Sequence, residues 1–274
     1  MTPAFRRLTG LLAGLALFAL PLLAWPTTVR AATAQAITLA AHRAYYRLTL
    51  ASTGNSGVTS ASGAMEYEVI DGCTGWASQQ RLDMTVLDRE GGDTHTVSDY
   101  STWEAKDGRT FRFRITQVTN GTRDERAGYA ELPPGKPGFA VYSQPHDQRV
   151  ALPPGTVFPM AQTKAVLAAA HEGKTFVSMP VFDGTTGASA ENTFAVITTR
   201  GETVKTAFKP LADLPSLLVH MGYFPKDATQ MLPDTLIGMR YWDNGVADSL
   251  DLDFGNFTLA GKLAKFELLP SHCG

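Results

Sequence analysis

The sequence has few of the features that identify a protein's chemistry directly. Only two of its 274 residues are cysteine, and they do not form a CxxC pair. The chain contains no GxSxG nucleophile elbow, no HExxH zinc helix, no P-loop and no GxGxxG fingerprint. These absences argue against the enzyme classes that carry such motifs. We therefore predict a protein that is not an enzyme.

Metal-binding patterns are also missing. The six histidines are scattered, and no two of them have the spacing that places two ligands on one face of a helix. We predict no metal and no other cofactor.

A long apolar run occurs only near the N-terminus. Two arginines precede an uncharged stretch, residues 8–23, and small residues follow it. This order is typical of a secretory signal peptide, which we predict at residues 1–34 and expect to be cleaved. The alternative is a single membrane anchor, but the stretch is short for a span of about 20 apolar residues. The pattern therefore favours export.

An excess of positive charge is absent as well. Without residues 1–34 the chain would carry 26 acidic and 21 basic side chains. A negative surface without basic runs does not attract nucleic acid. We predict no nucleic-acid partner.

The two cysteines, Cys73 and Cys273, stand almost a chain length apart. In an oxidising compartment, the simplest arrangement for two cysteines is one disulfide. A catalytic thiol is the alternative, and it would need a neighbouring histidine to lower its pKa. We predict a disulfide that brings the last strand against the first hairpin and closes a sheet whose edges are otherwise free.

The remaining sequence mostly alternates apolar and polar residues, as in residues 65–69 and 111–116. A period of two is typical of half-buried antiparallel strands. Five dipeptides that favour hairpin turns separate such runs. They are Asp71-Gly72, Asp107-Gly108, Asn120-Gly121, Asp183-Gly184 and Asn244-Gly245. The pattern predicts a mainly β protein built from consecutive hairpins.

Helices are few in this pattern. Residues 158–174 are rich in alanine and predict one helix that ends at Gly173. Residues 209–225 predict short helical turns, because Pro215 prevents one long helix. In the last strand, the apolar face changes parity between Gly261 and Lys265, which predicts a β-bulge or bend.

Proline- and glycine-rich connectors divide the chain near residues 131–159. We predict a single β domain over residues 35–274. Two β layers joined near residues 131–159 are the alternative.

Several side chains are candidates for a site. Four aromatic residues are suited either to the core or to an apolar groove in a curved sheet, and they are Trp76, Trp103, Tyr241 and Trp242. The acids Asp83, Asp88, Glu90, Asp93, Asp99 and Glu104 are candidates for the pair of carboxylates that a glycosidase needs. We interpret these acids instead as the solvated face of a strand.

Six segments, taken in order, resemble one known family. They are HRAYYRLTL, SGAMEYEVIDGCTGW, STWEAKDGRTFRFRI, LPPGTVFPMAQTKAVLAAAHEGKTF, VFDGTTG and LAKFELLPSHC. Together they are similar to the EipB family of periplasmic cell-envelope-integrity proteins of Gram-negative bacteria. The resemblance covers about residues 37–273.

The resemblance implies a β-spiral, which is a long, highly curved antiparallel sheet wound into an open barrel-like shape. It also implies a disulfide between the early and the terminal cysteine. A periplasmic location, a role in envelope integrity under envelope stress and a periplasmic tetratricopeptide-repeat partner are further implications. The family brings no catalytic residues with it.

These observations predict a non-enzymatic periplasmic protein that supports the envelope by binding another envelope component in or on the curved sheet. A carrier of lipid or lipoprotein is the first alternative. An envelope hydrolase is the second.

Overall fold

The computed structural model describes residues 37–54, 57–224, 232–271 and 273, and the predicted signal peptide lies outside them. Strands predominate in this part of the chain. They are β1 His42–Ser52, β2 Val58–Asp71, β3 Gly75–Asp88, β4 Asp93–Ala105, β5 Thr110–Thr119, β6 Thr122–Glu131, β7 Gly138–Gln144, β8 Gln148–Leu152, β9 Phe176–Val181, β10 Glu191–Glu202, β11 Ser216–Phe224, β12 Thr235–Trp242, β13 Ala247–Asp253 and β14 Thr258–Leu268. Helix α1, Pro159–His171, follows β8, and a 3-10 turn, Lys209–Leu211, precedes β11.

All of these strands form one antiparallel sheet in the order β8-β7-β6-β5-β4-β3-β2-β1-β14-β13-β12-β11-β10-β9. The chain starts in the middle of the sheet at β1 and moves outward, hairpin by hairpin, to the edge strand β8. Helix α1 then leads to the opposite edge strand, β9, and the chain returns to β14 beside β1. Strands on both sides of residues 131–159 therefore belong to the same sheet.

Contacts between distant strands show that the sheet is wound. Val69 of β2 and Trp76 of β3 share one buried cluster with α1 and with Val219 of β11. Phe111 of β5 shares another with Phe182, which follows β9. These strands lie far apart in the order of the sheet, so only strong curvature brings their inner faces together. The predicted mainly β, highly curved antiparallel sheet is confirmed, and it is open rather than closed.

The seam of the wound sheet lies between the edge strands β8 and β9. Val157 forms a parallel bridge with Val181, with its N–H 2.9 Å from the Pro180 carbonyl oxygen. Ser189 donates to the Ala151 carbonyl at 2.6 Å, and Tyr142 donates to the Ala188 carbonyl at 2.9 Å. The loop between β9 and β10 thus fastens the two ends of the sheet.

The five predicted turn dipeptides all lie between consecutive antiparallel strands. Only Asn120-Gly121 has positive φ at both residues, 48° and 81°, as a type I′ turn requires. In the first turn the positive φ, 66°, falls on Cys73 instead of Gly72. The hairpins were predicted correctly, but most of them use other turn types.

The predicted helix is α1, and Gly173, with φ of 77°, follows its end. The prediction of short helical turns over residues 209–225 is correct for Lys209–Leu211 but wrong for β11. Leu217 and Val219 are buried, and β11 pairs with β10 on one side and β12 on the other. Pairing on both sides outweighs the local helix propensity of leucine and methionine.

The predicted bulge near the end of the chain is present. Tyr45 pairs with Lys265 and Tyr46 pairs with Leu263, so Ala264 is an extra residue on β14.

Among the described residues, no helix has the length and hydropathy needed to cross a bilayer.

Candidate functional site

A disulfide joins Cys73 to Cys273, with the two Cα atoms 5.2 Å apart. Cys73 follows β2 and Cys273 follows β14, and these strands lie on either side of β1. The bond therefore spans the start of the central strand. The expectation that it closes free sheet edges is wrong, because the edges are β8 and β9.

Asp71 connects the two cysteine segments. Its carboxylate accepts the backbone N–H of Cys73 at 3.0 Å and the hydroxyl of Ser271 at 3.4 Å. Lys106 lies 2.6 Å from the same carboxylate. This hydrogen bond to Lys106 is the main reason that the pKa of Asp71 lies below its usual range. The ends of β2 and β14, on either side of the start of β1, are thus held together by a covalent bond, and an ionic contact with Lys106 lies beside it.

A groove of about 830 Å³ crosses the outer face of β14, β1, β2, β3 and β4. We call it the outer groove. Its charged side chains point away from the buried core, and charges of both signs alternate along it. The charged residues are Arg43, Arg47, Glu66, Glu68, Arg81, Asp99, Lys265 and Glu267.

Ion pairs order the outer groove. Arg43 contacts both Glu68 of β2 and Glu267 of β14, and therefore joins three adjacent strands. Arg81 reaches both carboxylate oxygens of Asp99 at 2.6 and 2.8 Å. About half of the surface of the Arg81 and Asp99 side chains stays exposed. Such exposed pairs stabilise the fold by no more than about 1 kcal/mol, so these charges remain available to a partner.

A second recess of about 220 Å³, which we call the inner cavity, lies on the inner face beside α1. Its walls come from the segment before β1, from β1, β2, β3, β11, β12 and β13, and from the start of α1. Four methionines and four tyrosines contribute to it. They are Met65, Met160, Met221 and Met239, with Tyr46, Tyr67, Tyr223 and Tyr241.

Glu104 provides an unusual cap for α1. Phe158 at the N-cap position has no side-chain hydrogen bond, and Pro159 follows it. The carboxylate of Glu104, on the neighbouring β4, accepts the backbone N–H groups of Met160 at 2.7 Å and Ala161 at 2.8 Å. Only 2% of Glu104 is exposed, and this burial raises its pKa to about 7 against the opposing effect of the two hydrogen bonds. A strand residue thus supplies the acceptor that the local sequence lacks.

The interpretation of Asp99 and Glu104 as one solvated face is therefore wrong for Glu104. The two residues belong to the same strand but point to opposite faces, because their positions differ by an odd number. Asp99 pairs with Arg81 on the outer face, whereas Glu104 lies in the interior. The pair does not form a glycosidase site.

Comparisons with known proteins agree on the family. The family model described as EipB-like matches residues 33–270. The chain belongs to the EipB-like family. The cell envelope integrity protein EipB of Brucella abortus (strain 2308) is 29% identical over 247 residues, which cover 87% of this chain and 87% of the relative.

A solved structure has the same fold. It is the crystal structure of a beta-barrel-like protein of the domain of unknown function DUF1849 from Brucella abortus. The TM-score is 0.80 at 26% sequence identity, and the match covers 86% of this chain and all of that chain.

The structure of this EipB-like chain does not bring the four predicted groove aromatics together. Trp76 is 5% exposed and packs in the core beside α1, whereas Trp103 is half-buried on the outer face of β4. Tyr241 lines the inner cavity. Trp242 is fully buried in a separate small cluster with Leu211. Tyr241 is the one member of this set that contributes to either recess.

Most side chains of the two recesses were missed from the sequence. Strand periodicity indicates which face Tyr67 and Met65 share, but it does not indicate that residues of β11 and β12 lie opposite them. A usable signal existed for Glu104. The helix start TVFPMAQ has no polar N-cap residue directly before Pro159, so its free N–H groups need an acceptor from elsewhere in the chain.

Proposed function

We propose that this EipB-like chain is a periplasmic, non-enzymatic protein that supports the integrity of the cell envelope by binding another envelope protein through the outer groove. The envelope role follows its relative, which is named a cell envelope integrity protein. The observation that carries the binding mode is the outer groove itself, with its alternating charges on five adjacent strands.

The chemistry of the outer groove suits a protein surface. Its charges come in both signs, and they are fixed in position by a rigid sheet. A partner with the complementary arrangement gains orientation and specificity, whereas a wrong partner places like charges together. By resemblance to the family, we propose a periplasmic tetratricopeptide-repeat protein as this partner.

A carrier of lipid or lipoprotein receives less support. The apolar recess of the described chain, the inner cavity, has a volume of only about 220 Å³. Pockets for drug-sized ligands occupy roughly 300–1,000 Å³. A lipid with two acyl chains needs more room than this cavity offers, so the protein-binding function is the better proposal.

The experiment compares two charge reversals in cells that lack their own copy of the protein. Arg81→Glu puts an acid in place of the cation that pairs with Asp99 in the outer groove, whereas Arg123→Glu makes the same change on β6, outside the groove. Both arginines are exposed and each contacts one carboxylate, so we expect the two substitutions to affect the stability of the fold to a similar extent. We expect Arg81→Glu to weaken partner capture about tenfold and to leave cells sensitive to detergent. Arg123→Glu should restore resistance.

A photoreactive residue at position 79 identifies the partner, with position 123 as the control. Gln79 lies in the floor of the outer groove. We expect one envelope protein to crosslink at position 79 and not at position 123. Full resistance in cells with Arg81→Glu, together with no protein crosslinked at position 79, would contradict the proposal.

A further inference from the structure

The inner cavity lies on the face of the sheet opposite to the charged side chains of the outer groove, although Tyr67 and Gln80 border both recesses. The proposed protein contact uses the charged face and not this cavity. Its walls are largely apolar, and Val69 and Met221 in them are at most 4% exposed. Polar hydrogen-bonding groups nevertheless project into it. A cavity with apolar walls and a few converging polar groups is the usual form of a small-molecule site.

Three tyrosine hydroxyls in the inner cavity have no short hydrogen bond to any residue that the structure describes. The contacts are Tyr67 to the Met160 sulfur at 4.0 Å, Tyr223 to Gln162 Oε1 at 3.5 Å and Tyr241 to Thr163 Oγ1 at 3.5 Å. Tyr46, in the same cavity, shows the normal situation, because its hydroxyl donates to the Ala247 carbonyl at 2.7 Å. A hydroxyl inside a protein normally finds a partner at 2.5–3.0 Å. The three long contacts therefore leave donors available to a bound molecule.

These three hydroxyls remain protonated and lie near one another. Burial raises the pKa of Tyr67, Tyr223 and Tyr241, and electrostatic coupling to Tyr241 raises those of the other two further. Each hydroxyl is therefore a donor at neutral pH. Donors that converge without acceptors of their own select a ligand that supplies an acceptor oxygen.

The electrostatic surroundings disfavour an anion. The carboxylate of Glu104 contributes to the raised pKa of Tyr67, and those of Asp183 and Glu191 contribute to that of Tyr223. The base in the wall is His42, whose Nδ1 lies 2.8 Å from the Ala40 carbonyl and whose pKa is lowered by burial. No lysine or arginine is part of the wall in the described chain. A carboxylate ligand would find acids nearby and no lysine or arginine in the wall of the cavity.

We propose that the inner cavity binds a small, uncharged, mostly apolar molecule with one hydrogen-bond-accepting oxygen, which the hydroxyls of Tyr67, Tyr223 and Tyr241 hold. The volume of about 220 Å³ equals that of roughly seven liquid water molecules at about 30 Å³ each. The methionines of the wall adapt to irregular shapes, because their side chains are unbranched and polarisable. The apolar body of the ligand contacts them.

Methyl NMR of the methionines tests this site in the intact mature chain. The probe is heptan-2-one, and hexanoate is a charged control of similar size. We expect heptan-2-one to cause saturable shifts of the signals of Met65, Met160, Met221 and Met239. Met84 and Met179 lie outside the wall and serve as internal controls, so their signals should move little. Hexanoate should bind at least tenfold more weakly.

Removal of a single hydroxyl tests the role of the tyrosines. Tyr241→Phe keeps the ring but removes one donor, and we expect it to weaken heptan-2-one binding about tenfold. Tyr223→Phe is a second variant with the same expected effect if the first folds poorly. Tyr129→Phe on the exposed surface is the matched control and should leave the affinity unchanged.

Three results would overturn the inference. An absence of shifts at all four wall methionines would mean that the cavity holds only water. Equal binding of hexanoate would contradict the preference for an uncharged molecule. Unchanged affinity in both tyrosine variants would show that the hydroxyls do not hold the oxygen. None of these results bears on the outer groove, so the proposed function is tested separately.

Discussion

At the residue scale, Glu104 shows where sequence periodicity succeeds and where it stops. Glu104 pairs across the sheet with Trp76 on one side and Phe111 on the other, and both are buried. The alternation of β5 predicts an inward Phe111, so the face of Glu104 follows once the register is known. The sequence of neither strand alone determines the register between β4 and β5. Glu104 was therefore predicted to face the solvent.

The raised pKa of Glu104 predicts a dependence of stability on pH. The pKa is about 7 in the folded protein, against an ordinary value of 4.5. Between these values the folded state keeps a proton that the unfolded chain has released, so the free energy of unfolding falls as pH rises from about 4.5 to 7. Glu104→Gln should flatten this fall. Chemical denaturation of both proteins at pH 5 and pH 7 measures the difference.

Glu191 acts in the same pH window and must be included in the comparison. Burial, followed by the nearby Asp183 and Asp234, raises its pKa to about 7. Glu104→Gln should therefore reduce the slope without abolishing it, and the double variant with Glu191→Gln should reduce it further. An identical slope in Glu104→Gln and the parent would show that Glu104 is not protonated in the folded protein at pH 5.

At the element scale, local chemistry predicts this protein well. The five turn dipeptides, the end of α1 and the bulge at Ala264 all rest on short-range rules about glycine, asparagine and strand parity. β11 was predicted as helical turns because its leucine and methionine residues are compatible with a helix as well as with a strand. Its state is decided by β10 and β12, which flank it, and neither is local to it.

The disulfide acts on the ends of β2 and β14, and this predicts the effect of its loss. Cys73→Ser opens a covalent loop of 200 residues, for which the chain-entropy model gives roughly 5 kcal/mol. Measured losses of native disulfides are about 2–5 kcal/mol, and we expect a loss in that range by thermal or chemical unfolding. Hydrogen exchange should increase first at the start of β1, which lies between the two joined strands.

The variant Cys273→Ser and the double variant are the controls for this prediction. All three should melt at the same temperature, since each lacks the same bond, and the reduced parent should match them. If the single variants melted like the oxidised parent, the disulfide would have no role in stability. A larger loss in one single variant would instead indicate an effect of its free thiol.

At the scale of the whole molecule, only the family resemblance predicts that the antiparallel strands form one long, wound sheet. Periodicity and turns give consecutive hairpins, which account for every neighbouring pair from β1 to β8 and from β9 to β14. The one long-range pair, β1 with β14, decides the whole order, and no local pattern specifies it. The same limit applies to both recesses, because each is built from strands of the two halves of the chain.

The seam between β8 and β9 includes a close contact at Gly184. Gly184 has φ of 80°, and a Cβ atom there would overlap the ring of Phe113. Phe113 packs against Phe182 at 5.6 Å between ring centroids, within the cluster that joins the two ends of the sheet. Gly184→Ala should therefore add overpacking of about 1–3 kcal/mol to the strain of a positive φ.

Gly108→Ala separates these two effects. Gly108 has φ of 68°, but no atom lies within 4 Å of the position that its Cβ would occupy. Its substitution should cost only about 1–2 kcal/mol of strain. Hydrogen exchange should increase around residues 150–158 and 180–190 in Gly184→Ala and not in Gly108→Ala. Equal losses of stability in both variants, with no change in exchange at the seam, would show that the two ends of the sheet are held without the contact between Gly184 and Phe113.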